Sequence, residues 1–389
     1  MYRIKIFNAI SSMGLERFND RQFQLGSDIS DPHAYILRSK KLHEEPVPES
    51  LLAVARAGAG YNNIPVADFS NRGVVVFNTP GANANAVKEL VMAGLILSSR
   101  GIFEGVNYVQ SLTGISDATE LSMLLEKEKK RFGGNEIHGK VLGIIGLGAI
   151  GSMVANLALE LGMRVIGFDP AISVEAAWQL SSQVEKVDSL QALLTEVDYI
   201  SLHVPANKHT IGLLNEQSLA KVKPGAKLLN FARDQVVDTQ AVIAALDSGV
   251  LSSYATDFPE PALLGRKDAL LMPHIGASTQ EAEENCAVMA ANQLIEFLIN
   301  GNIVNSVNFP NTRMKRNGGH RITFCNENIP RVLGTVLSGL ADRNINVLDM
   351  VNRSRGDIAY NIIDVESRPD AEVLAEILKA DGVKKLRLI

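Results

Sequence analysis

The fold of this 389-residue chain is decided by the stretch Val141-Leu142-Gly143-Ile144-Ile145-Gly146-Leu147-Gly148-Ala149-Ile150-Gly151. An apolar strand runs directly into three glycines, and an amphipathic helical pattern follows them. Gly146 allows a tight turn, Gly148 lets the backbone approach a pyrophosphate, and Gly151 lets helix and strand pack closely. The helix N-terminus offers unpaired N–H groups and a partial positive charge to phosphates. The stretch therefore predicts a dinucleotide site.

An acidic residue supports this interpretation. The next apolar run, Arg164 to Phe168, is followed by Asp169, eighteen residues after Gly151. Its carboxylate can accept hydrogen bonds from a ribose diol and would repel a 2′-phosphate, which favours NAD over NADP. The alternative is a purely structural turn between strand and helix.

Composition excludes several classes of protein. Hydrophobic residues make up 46% and charged residues 21% of the chain, as in ordinary globular proteins, and the net charge is −5. That charge argues against nucleic acid or an anionic membrane as a partner. No apolar run approaches the length of a membrane-spanning helix. Two distant cysteines, Cys286 and Cys325, fit neither a disulfide framework nor a metal cluster, and they indicate a reducing cytoplasm and inert buried thiols.

Two α/β regions follow each other along the chain. Residues 1 to about 95 alternate short strands with helical stretches, which predicts a parallel sheet. A strong helical segment spans 86–100, and the glycine motif then opens a second, doubly wound parallel sheet. Its later strands are predicted at 199–203, 227–230 and 253–257.

The last 70 residues have a different pattern. A segment from Asn305 to Gly319 has linker composition. The remainder predicts strand (321–325), helix (330–342), strand (346–353), strand (357–365), helix (371–380) and strand (384–388). That order is the βαββαβ arrangement of a ferredoxin-like module.

Catalytic candidates lie after strands of the second region. Arg233 follows a predicted strand, where open α/β sheets place their ligands, and a guanidinium there can hold a carboxylate bidentately. His274 lies in a Pro-His-x-Gly turn, and histidine is the side-chain type suited to acid–base chemistry near neutrality. Glu260 would fix the tautomer of His274 if the two side chains touch. The alternatives are a surface ion pair between Arg233 and Asp234 and a structural role for His274.

Several motifs in fixed order now identify a resemblance. The segments Asn78-Thr79-Pro80-Gly81, 139–146, Ser201-Leu202-His203-Val204-Pro205, Asn230-Phe231-Ala232-Arg233 and Pro273-His274-Ile275-Gly276 resemble the D-2-hydroxyacid dehydrogenase family over about 310 residues. The terminal module is similar to an ACT regulatory domain. The resemblance implies two Rossmann-like domains around a cleft: a discontinuous substrate domain (1–92 with 277–310) and an NAD-binding domain (93–276). A linker (311–319) and the ACT domain (320–389) follow.

The resemblance also implies roles for individual residues. Arg233 would hold the substrate carboxylate, His274 would move the hydroxyl proton while NAD accepts the hydride, and Glu260 would orient His274. Asp257 would bond the nicotinamide carboxamide. The implied cofactor contacts are Gly146, Gly148, Ala149, Ile150, Gly151, Asp169, His203, Val204, Pro205, Ala232, Asp257 and Gly276, and no metal is expected.

The substrate implied is a phosphorylated 2-hydroxy acid. ACT-bearing members of the family oxidise 3-phospho-D-glycerate to 3-phosphohydroxypyruvate at the start of L-serine biosynthesis. Arg56, in Ala55-Arg56-Ala57-Gly58-Ala59-Gly60, is the candidate phosphate ligand, with Asn78 as a weaker one. Two alternatives stay open: a glyoxylate or hydroxypyruvate reductase, which needs no phosphate site, and a non-catalytic NAD-sensing scaffold.

Two departures from the family pattern bear on these expectations. The loop from Asp257 to Glu260 is two residues shorter than usual, so either Glu260 reaches His274 or Asp257 takes over part of its role. In the ACT module, Asn328 and Asn346 match asparagines that bind L-serine at a dimer interface. Arg331, however, stands where a glycine normally admits the amino acid, and Asn326 replaces a histidine. The expectation is a homodimer or homotetramer, with serine as an effector or an ACT module kept for assembly.

Overall fold

The N-terminal strands form a five-stranded parallel sheet. The computed structural model describes residues 1–389 except for the side chain of residue 175. The first elements are β1 (Tyr2–Ile6), α1 (Ser12–Leu15), β2 (Phe23–Gly26), β3 (Ala34–Leu37), β4 (Ala53–Arg56), α2 (Val66–Asn71) and β5 (Val75–Phe77). Their order in the sheet is β2-β1-β3-β4-β5. The sequence does not predict β2, because this edge strand buries only Phe23 and shows no periodicity.

The middle of the chain forms a seven-stranded parallel sheet with the order β12-β11-β10-β9-β6-β7-β8. The strand order reverses between β9 and β6, which places a ligand crevice at the carboxyl end of β6, where the glycine motif begins. The elements are α3 (Ala84–Ser99), α4 (Ile102–Ser111), α5 (Ala118–Glu128), β6 (Val141–Ile145), α6 (Ala149–Glu160), β7 (Arg164–Phe168), α7 (Val174–Gln179), β8 (Glu185–Lys186), α8 (Leu190–Glu196), β9 (Tyr199–Leu202), α9 (Glu216–Leu219), β10 (Ala226–Asn230), α10 (Thr239–Asp247), β11 (Leu251–Thr256) and β12 (Ala269–Leu271).

A long helix leads into the terminal module. Thr279 caps α11 (Gln280–Asn300), and Gly301 ends it in the left-handed conformation at φ 73°. The module then consists of β13 (His320–Glu327), α12 (Val332–Asp342), β14 (Val347–Arg355), β15 (Ile358–Val365), α13 (Ala371–Lys379) and β16 (Val383–Leu388). Its antiparallel sheet has the order β14-β15-β13-β16, and the predicted βαββαβ pattern is confirmed. No helix along the described chain has the length and apolar character needed to cross a membrane.

The chain divides into two compact units, residues 1–83 with 279–389 and residues 84–278. The ACT segment lies in the first unit and shares a hydrophobic core with the N-terminal sheet and α11. Phe77, Phe297 and Phe309 pack in this core with Tyr360, whose hydroxyl donates to the carbonyl oxygen of Gly301 at 2.7 Å. One face of the antiparallel sheet therefore completes the core of the first unit.

A fully buried ion pair ties this unit together. The Arg321 guanidinium donates to both carboxylate oxygens of Asp364 at 2.7 Å, and neither side chain is exposed. It also donates to the backbone carbonyls of Asn300, Met314 and Lys315 at 2.9, 3.0 and 3.1 Å. Because these carbonyls belong to the end of α11 and the segment after it, Arg321 fastens the expected linker to the antiparallel sheet.

Candidate active site

The glycine loop after β6 has the geometry that a dinucleotide requires. Gly146 has φ 94°, and a Cβ there would lie 2.7 Å from the carbonyl oxygen of His203. A Cβ on Gly151 would lie 1.9 Å from the carbonyl oxygen of Gly146. By contrast, no atom lies within 4 Å of a Cβ built on Gly148, the N-cap of α6. The loop therefore packs tightly against the protein at Gly146 and Gly151 and leaves open space at Gly148, where α6 begins.

Asp169 and His203 flank this loop. The Asp169 carboxylate accepts from the backbone N–H groups of Leu147 and Ala171 at 2.8 and 2.9 Å, which braces the loop and leaves acceptor capacity for a ribose diol. The His203 ring bonds Ser201 Oγ through Nε2 at 2.8 Å, and burial of the ring lowers its pKa to about 3. His203 therefore stays neutral, as a wall residue rather than a proton carrier.

Asn230 shapes the loop that carries Arg233. Its side chain accepts from the backbone N–H of Ala232 at 3.2 Å and donates to the carbonyl oxygen of Arg233 at 2.9 Å. Arg233 Nη1 donates to the carbonyl oxygen of Ala232 at 2.6 Å. Among the described side chains, no ion pair joins Arg233 to Asp234, so the predicted alternative of a surface pair does not form. Asn230 therefore shapes the site, a role that the sequence does not assign to it although it begins the Asn230–Arg233 motif.

His274 lies in a strained turn above β11. It has φ 48°, which is uncommon outside glycine, and its backbone N–H donates to the carbonyl oxygen of Asp257 at 2.9 Å. Its ring packs on Phe258 with centroids 4.7 Å apart. The strained backbone is held by these contacts, so the imidazole has a defined position.

Asp257 is buried beside this turn, with 1% of its surface exposed. Oδ2 accepts from the backbone N–H of Gly276 at 2.9 Å, whereas Oδ1 is enclosed and has no hydrogen-bond partner within the described part of the structure. Burial raises the pKa of Asp257, while the Gly276 N–H and the charges of His274 and Arg233 oppose that shift. An unpaired buried carboxylate oxygen is costly, and it marks a place for a donor from a bound molecule.

Glu260 lies against Thr239. The Thr239 hydroxyl donates to Glu260 Oε1 at 2.6 Å. No hydrogen bond or ion pair joins Glu260 to His274 among the side chains that the structure describes. The structure therefore does not bring the predicted carboxylate–imidazole pair together.

These residues fit NAD. The open N-terminus of α6 suits a pyrophosphate, Asp169 a ribose diol, and the unpaired Oδ1 of Asp257 the carboxamide N–H₂ of a nicotinamide.

The first unit carries two arginines at the carboxyl edge of its sheet. Arg56 ends β4, and its Nε donates at 3.1 Å to the carbonyl oxygen of Arg38, the residue after β3. Arg38 Nη1 pairs with Glu283 at 2.7 Å. A Cβ on Gly58 would lie 2.1 Å from Arg56 Nη1, so the glycine makes room for the guanidinium. The sequence predicts Arg56 here and misses Arg38, although its place after a strand could have identified it.

Asn78 makes structural hydrogen bonds at the same carboxyl edge of the sheet. Its side-chain amide donates to the carbonyl oxygen of Ala59 at 2.6 Å, and its own carbonyl accepts from Gln293 at 2.9 Å. These bonds fasten the loop after β4 to the loop after β5. Asn78 therefore supports the segment that follows Arg56.

The ACT asparagines lie at opposite ends of one hairpin. Asn328 donates through its side chain to the carbonyl oxygen of Gly356 at 3.1 Å, at the β14–β15 turn. Asn346 donates to Glu366 at 3.4 Å, at the other end. The nine-residue strand β14 between these ends is roughly 30 Å long. A single copy of the chain therefore does not bring Asn328 and Asn346 into one site.

The side chain of the neighbouring Asn326 is hydrogen-bonded within the antiparallel sheet. Its side chain accepts from Asn361 at 2.7 Å and donates to the carbonyl oxygen of Glu327 at 2.6 Å. Arg331, at the N-cap of α12, has φ 78°. A left-handed conformation costs a non-glycine residue about 1–2 kcal/mol, so the backbone here keeps the shape that a glycine would adopt freely.

Comparison with known proteins agrees with this geometry. Residues 99–276 match the model of the D-isomer specific 2-hydroxyacid dehydrogenase NAD binding domain, and residues 320–382 match the ACT domain. The chain is 35% identical over 382 residues to a D-3-phosphoglycerate dehydrogenase of Escherichia coli (strain K12), covering 94% of this chain and 89% of that one. It is 30% identical to the Dictyostelium discoideum D-3-phosphoglycerate dehydrogenase, covering 100% and 97%.

Solved structures show the same similarity. The NAD⁺-bound 3-phosphoglycerate dehydrogenase of Entamoeba histolytica is 26% identical with a TM-score of 0.62, covering 79% of this chain and 98% of that one. The D-mandelate dehydrogenase of Rhodotorula graminis is 27% identical with a TM-score of 0.66, covering 79% and 97%. The glycine loop and the residues after the strands agree with the identity to these relatives. The chain therefore belongs to the D-isomer specific 2-hydroxyacid dehydrogenase family.

Proposed function

We propose that this enzyme oxidises 3-phospho-D-glycerate to 3-phosphohydroxypyruvate with NAD, in the first step of L-serine biosynthesis. The observation that carries the proposal is the pair of arginines, Arg38 and Arg56, at the carboxyl edge of the first unit's sheet. Guanidinium groups are suited to phosphate because their planar donors match its oxygens. The relatives named D-3-phosphoglycerate dehydrogenase support the same substrate. The enzyme is proposed to work in the cytoplasm, where its two buried cysteines stay reduced.

Separate residues of the chain then bind the substrate, move its proton and position the cofactor. Bound NAD supplies an acceptor for the hydride that leaves C2 of the substrate. Arg233 holds the substrate carboxylate, which fixes C2 and its hydroxyl relative to the protein. His274, neutral in the oxidation direction, takes the hydroxyl proton at a ring nitrogen. Asp257 positions the nicotinamide through its buried carboxylate oxygen.

Loss of the phosphate arginines is expected to change substrate preference. Arg56→Met should raise KM for 3-phosphohydroxypyruvate by roughly 10–100-fold, the effect of one charge-assisted contact, and leave turnover of hydroxypyruvate nearly unchanged. Arg38→Met should act in the same direction. The measurement is the initial rate of NADH oxidation with each substrate.

Arg72, an exposed residue that pairs with Asp68, provides the control, and Arg72→Met should leave both substrates unaffected. If hydroxypyruvate is turned over as well as the phosphorylated substrate by the unaltered enzyme, the assignment changes to a hydroxypyruvate or glyoxylate reductase.

We also propose that a second copy of the chain covers α4 and α5. Neither helix has a buried residue, and Phe103, Val106 and Val109 line an exposed face of α4. A contiguous apolar face on a helix indicates a protein interface, and a two-fold pairing of identical faces closes it. ACT pairing along the exposed strand β14 would extend the dimer to a tetramer.

A charge on that face is expected to dissociate the dimer. Val106→Asp should halve the sedimentation-equilibrium mass, from a tetramer to an ACT-paired dimer or from a dimer to a single 42.1 kDa chain, because the carboxylate would lose its water in the interface. Ile211→Asp, a matched change at another exposed position, should leave the mass unaltered. A Val106→Asp protein with unchanged mass would show that the second copy binds elsewhere.

We propose L-serine as the effector, at sites formed between two ACT modules. An antiparallel pairing of two β14 strands places Asn328 of one copy near Asn346 of the other, since these residues lie at opposite ends of the hairpin. Arg331 weakens serine binding, because its side chain fills space that a glycine leaves open.

The substitution Arg331→Gly tests this role. It should lower the serine concentration for half-inhibition at least roughly 10-fold, since backbone N–H groups become accessible and the left-handed strain disappears. Inhibition curves with and without Asn346→Ala supply the measurement. If serine neither binds nor inhibits the Arg331→Gly enzyme, the module serves assembly alone.

A further inference from the structure

The acidic residue Glu283 lies beside one of the two arginines proposed to bind phosphate. Its carboxylate forms an ion pair with Arg38 Nη1 at 2.7 Å, within the first unit. Thr279 caps α11 by accepting from the backbone N–H of Ala282 at 3.1 Å, which fixes the first helical turn that carries Glu283. The helix macrodipole also favours a carboxylate in this turn. Glu283 is therefore held at the edge of the sheet by its own helix.

This ion pair differs from the structural pair of the same unit. Arg321 and Asp364 are fully buried, and backbone carbonyls also accept from that guanidinium. The side chains of Arg38 and Glu283, by contrast, are 42% and 45% exposed. Among the described residues, the Arg38 guanidinium has no other carboxylate or hydrogen-bond partner. Because exposed ion pairs contribute little to stability, an anion from solution can replace Glu283 on Arg38.

Two neighbouring strands bring the two arginines to the same edge. In the parallel pair β3 and β4, Leu37 is the register partner of Arg56, so Arg38 lies one residue further along. Arg56 Nε donates to the carbonyl oxygen of Arg38 at 3.1 Å. A phosphate group carries a charge of roughly −1.5 to −2 near neutrality, which two guanidinium groups can balance. While Glu283 is paired with Arg38, one of these two positive charges is already neutralised.

We propose that Glu283 is a specificity-determining residue that competes with the substrate phosphate for Arg38. The proposal rests on the proposed function for the identity of the phosphorylated substrate. The Glu283 carboxylate pairs with the guanidinium until the phosphate takes its place, and Glu283 then turns toward solvent. Glu283 therefore weakens binding of the phosphorylated substrate and leaves binding of an unphosphorylated 2-hydroxy acid unchanged. The affinity for phosphate depends on the difference between these two anions as well as on the arginines.

The test is a calorimetric titration of the full-length enzyme, loaded with NADH, with 3-phospho-D-glycerate and separately with D-glycerate. Glu283→Gln keeps the side-chain shape and removes the charge, so the Kd of 3-phospho-D-glycerate should fall at least roughly 3-fold. The affinity for D-glycerate, which lacks the phosphate, should stay the same. Glu281→Gln is the matched control, because Glu281 is an exposed carboxylate in the same helical turn, and it should leave both affinities unchanged.

A second background separates competition at Arg38 from general repulsion of the phosphate. In an Arg38→Met enzyme, adding Glu283→Gln should change the Kd of 3-phospho-D-glycerate by less than roughly 2-fold, because the contested guanidinium is gone. A gain that persists in this background, or a Glu283→Gln enzyme that binds the phosphorylated substrate equally or more weakly than the unaltered enzyme, would overturn the proposal. The titration needs no turnover, whereas the proposed function fails if the unaltered enzyme does not oxidise 3-phospho-D-glycerate.

Discussion

Replacement of His274 by asparagine should lower kcat by roughly 10²–10⁴-fold, the usual contribution of a general acid–base group. Asparagine is the suitable replacement because it tolerates the left-handed backbone, φ 48°, that His274 adopts. The turn, with its bond to Asp257, then stays in place while the proton acceptor is lost. Steady-state rates in both directions measure the loss.

Cofactor binding gives the control for this prediction. NADH should bind the His274→Asn enzyme with unchanged affinity in a fluorescence titration, because the glycine loop and Asp169 follow other strands, β6 and β7. His209→Asn, an exposed substitution after β9, should leave kcat unaltered. Full activity in the His274→Asn enzyme would contradict the catalytic role and favour the non-catalytic scaffold.

Replacement of Arg321 by methionine should destabilise the first unit by about 3–5 kcal/mol, the cost of leaving a buried charge without its partner. Asp364 would keep its charge at 0% exposure, and the carbonyls of Asn300, Met314 and Lys315 would lose their shared donor. Thermal and urea unfolding, followed by circular dichroism, measure the change.

A double substitution separates loss of the pair from loss of packing. Arg321→Met with Asp364→Leu should recover part of the stability, since no buried charge remains. Arg343→Met breaks exposed ion pairs with Glu372 and Glu376 and should leave the unfolding midpoint nearly unchanged. If Arg321→Met unfolds at the midpoint of the unaltered protein, the buried pair contributes little.

Features set by local sequence were predictable. The glycine motif predicts the turn after β6 and the start of α6, because Gly146 and Gly151 lie where a Cβ would clash with the backbone. The alternation and turn signals of the last 70 residues predict all six ACT elements to within two residues. The predicted burial of Cys286 and Cys325 is also confirmed, and burial raises the pKa of Cys325 to about 11.

Features that depend on distant residues were not predictable. The Thr239–Glu260 bond joins residues 21 positions apart, and the Arg321–Asp364 pair joins residues 43 positions apart. Neither pair carries a local signal, since a threonine at a helix start and an arginine close to two glycines are common on surfaces. The position of Glu260 depended on loop length and on a competing donor, which spacing along the chain does not reveal.

The shared core of the first unit has a consequence for how this chain can evolve. Tyr360, Ile362 and Cys325 of the ACT segment complete the apolar packing around Phe77 and Phe297. A deletion that removed residues 313–389 in one step would uncover these aromatic side chains, and the shortened enzyme would aggregate. A lineage could discard its regulatory segment only after polar residues had replaced the exposed face of β5 and α11. The ACT segment is thus inherited together with the N-terminal sheet and α11 as one structural unit.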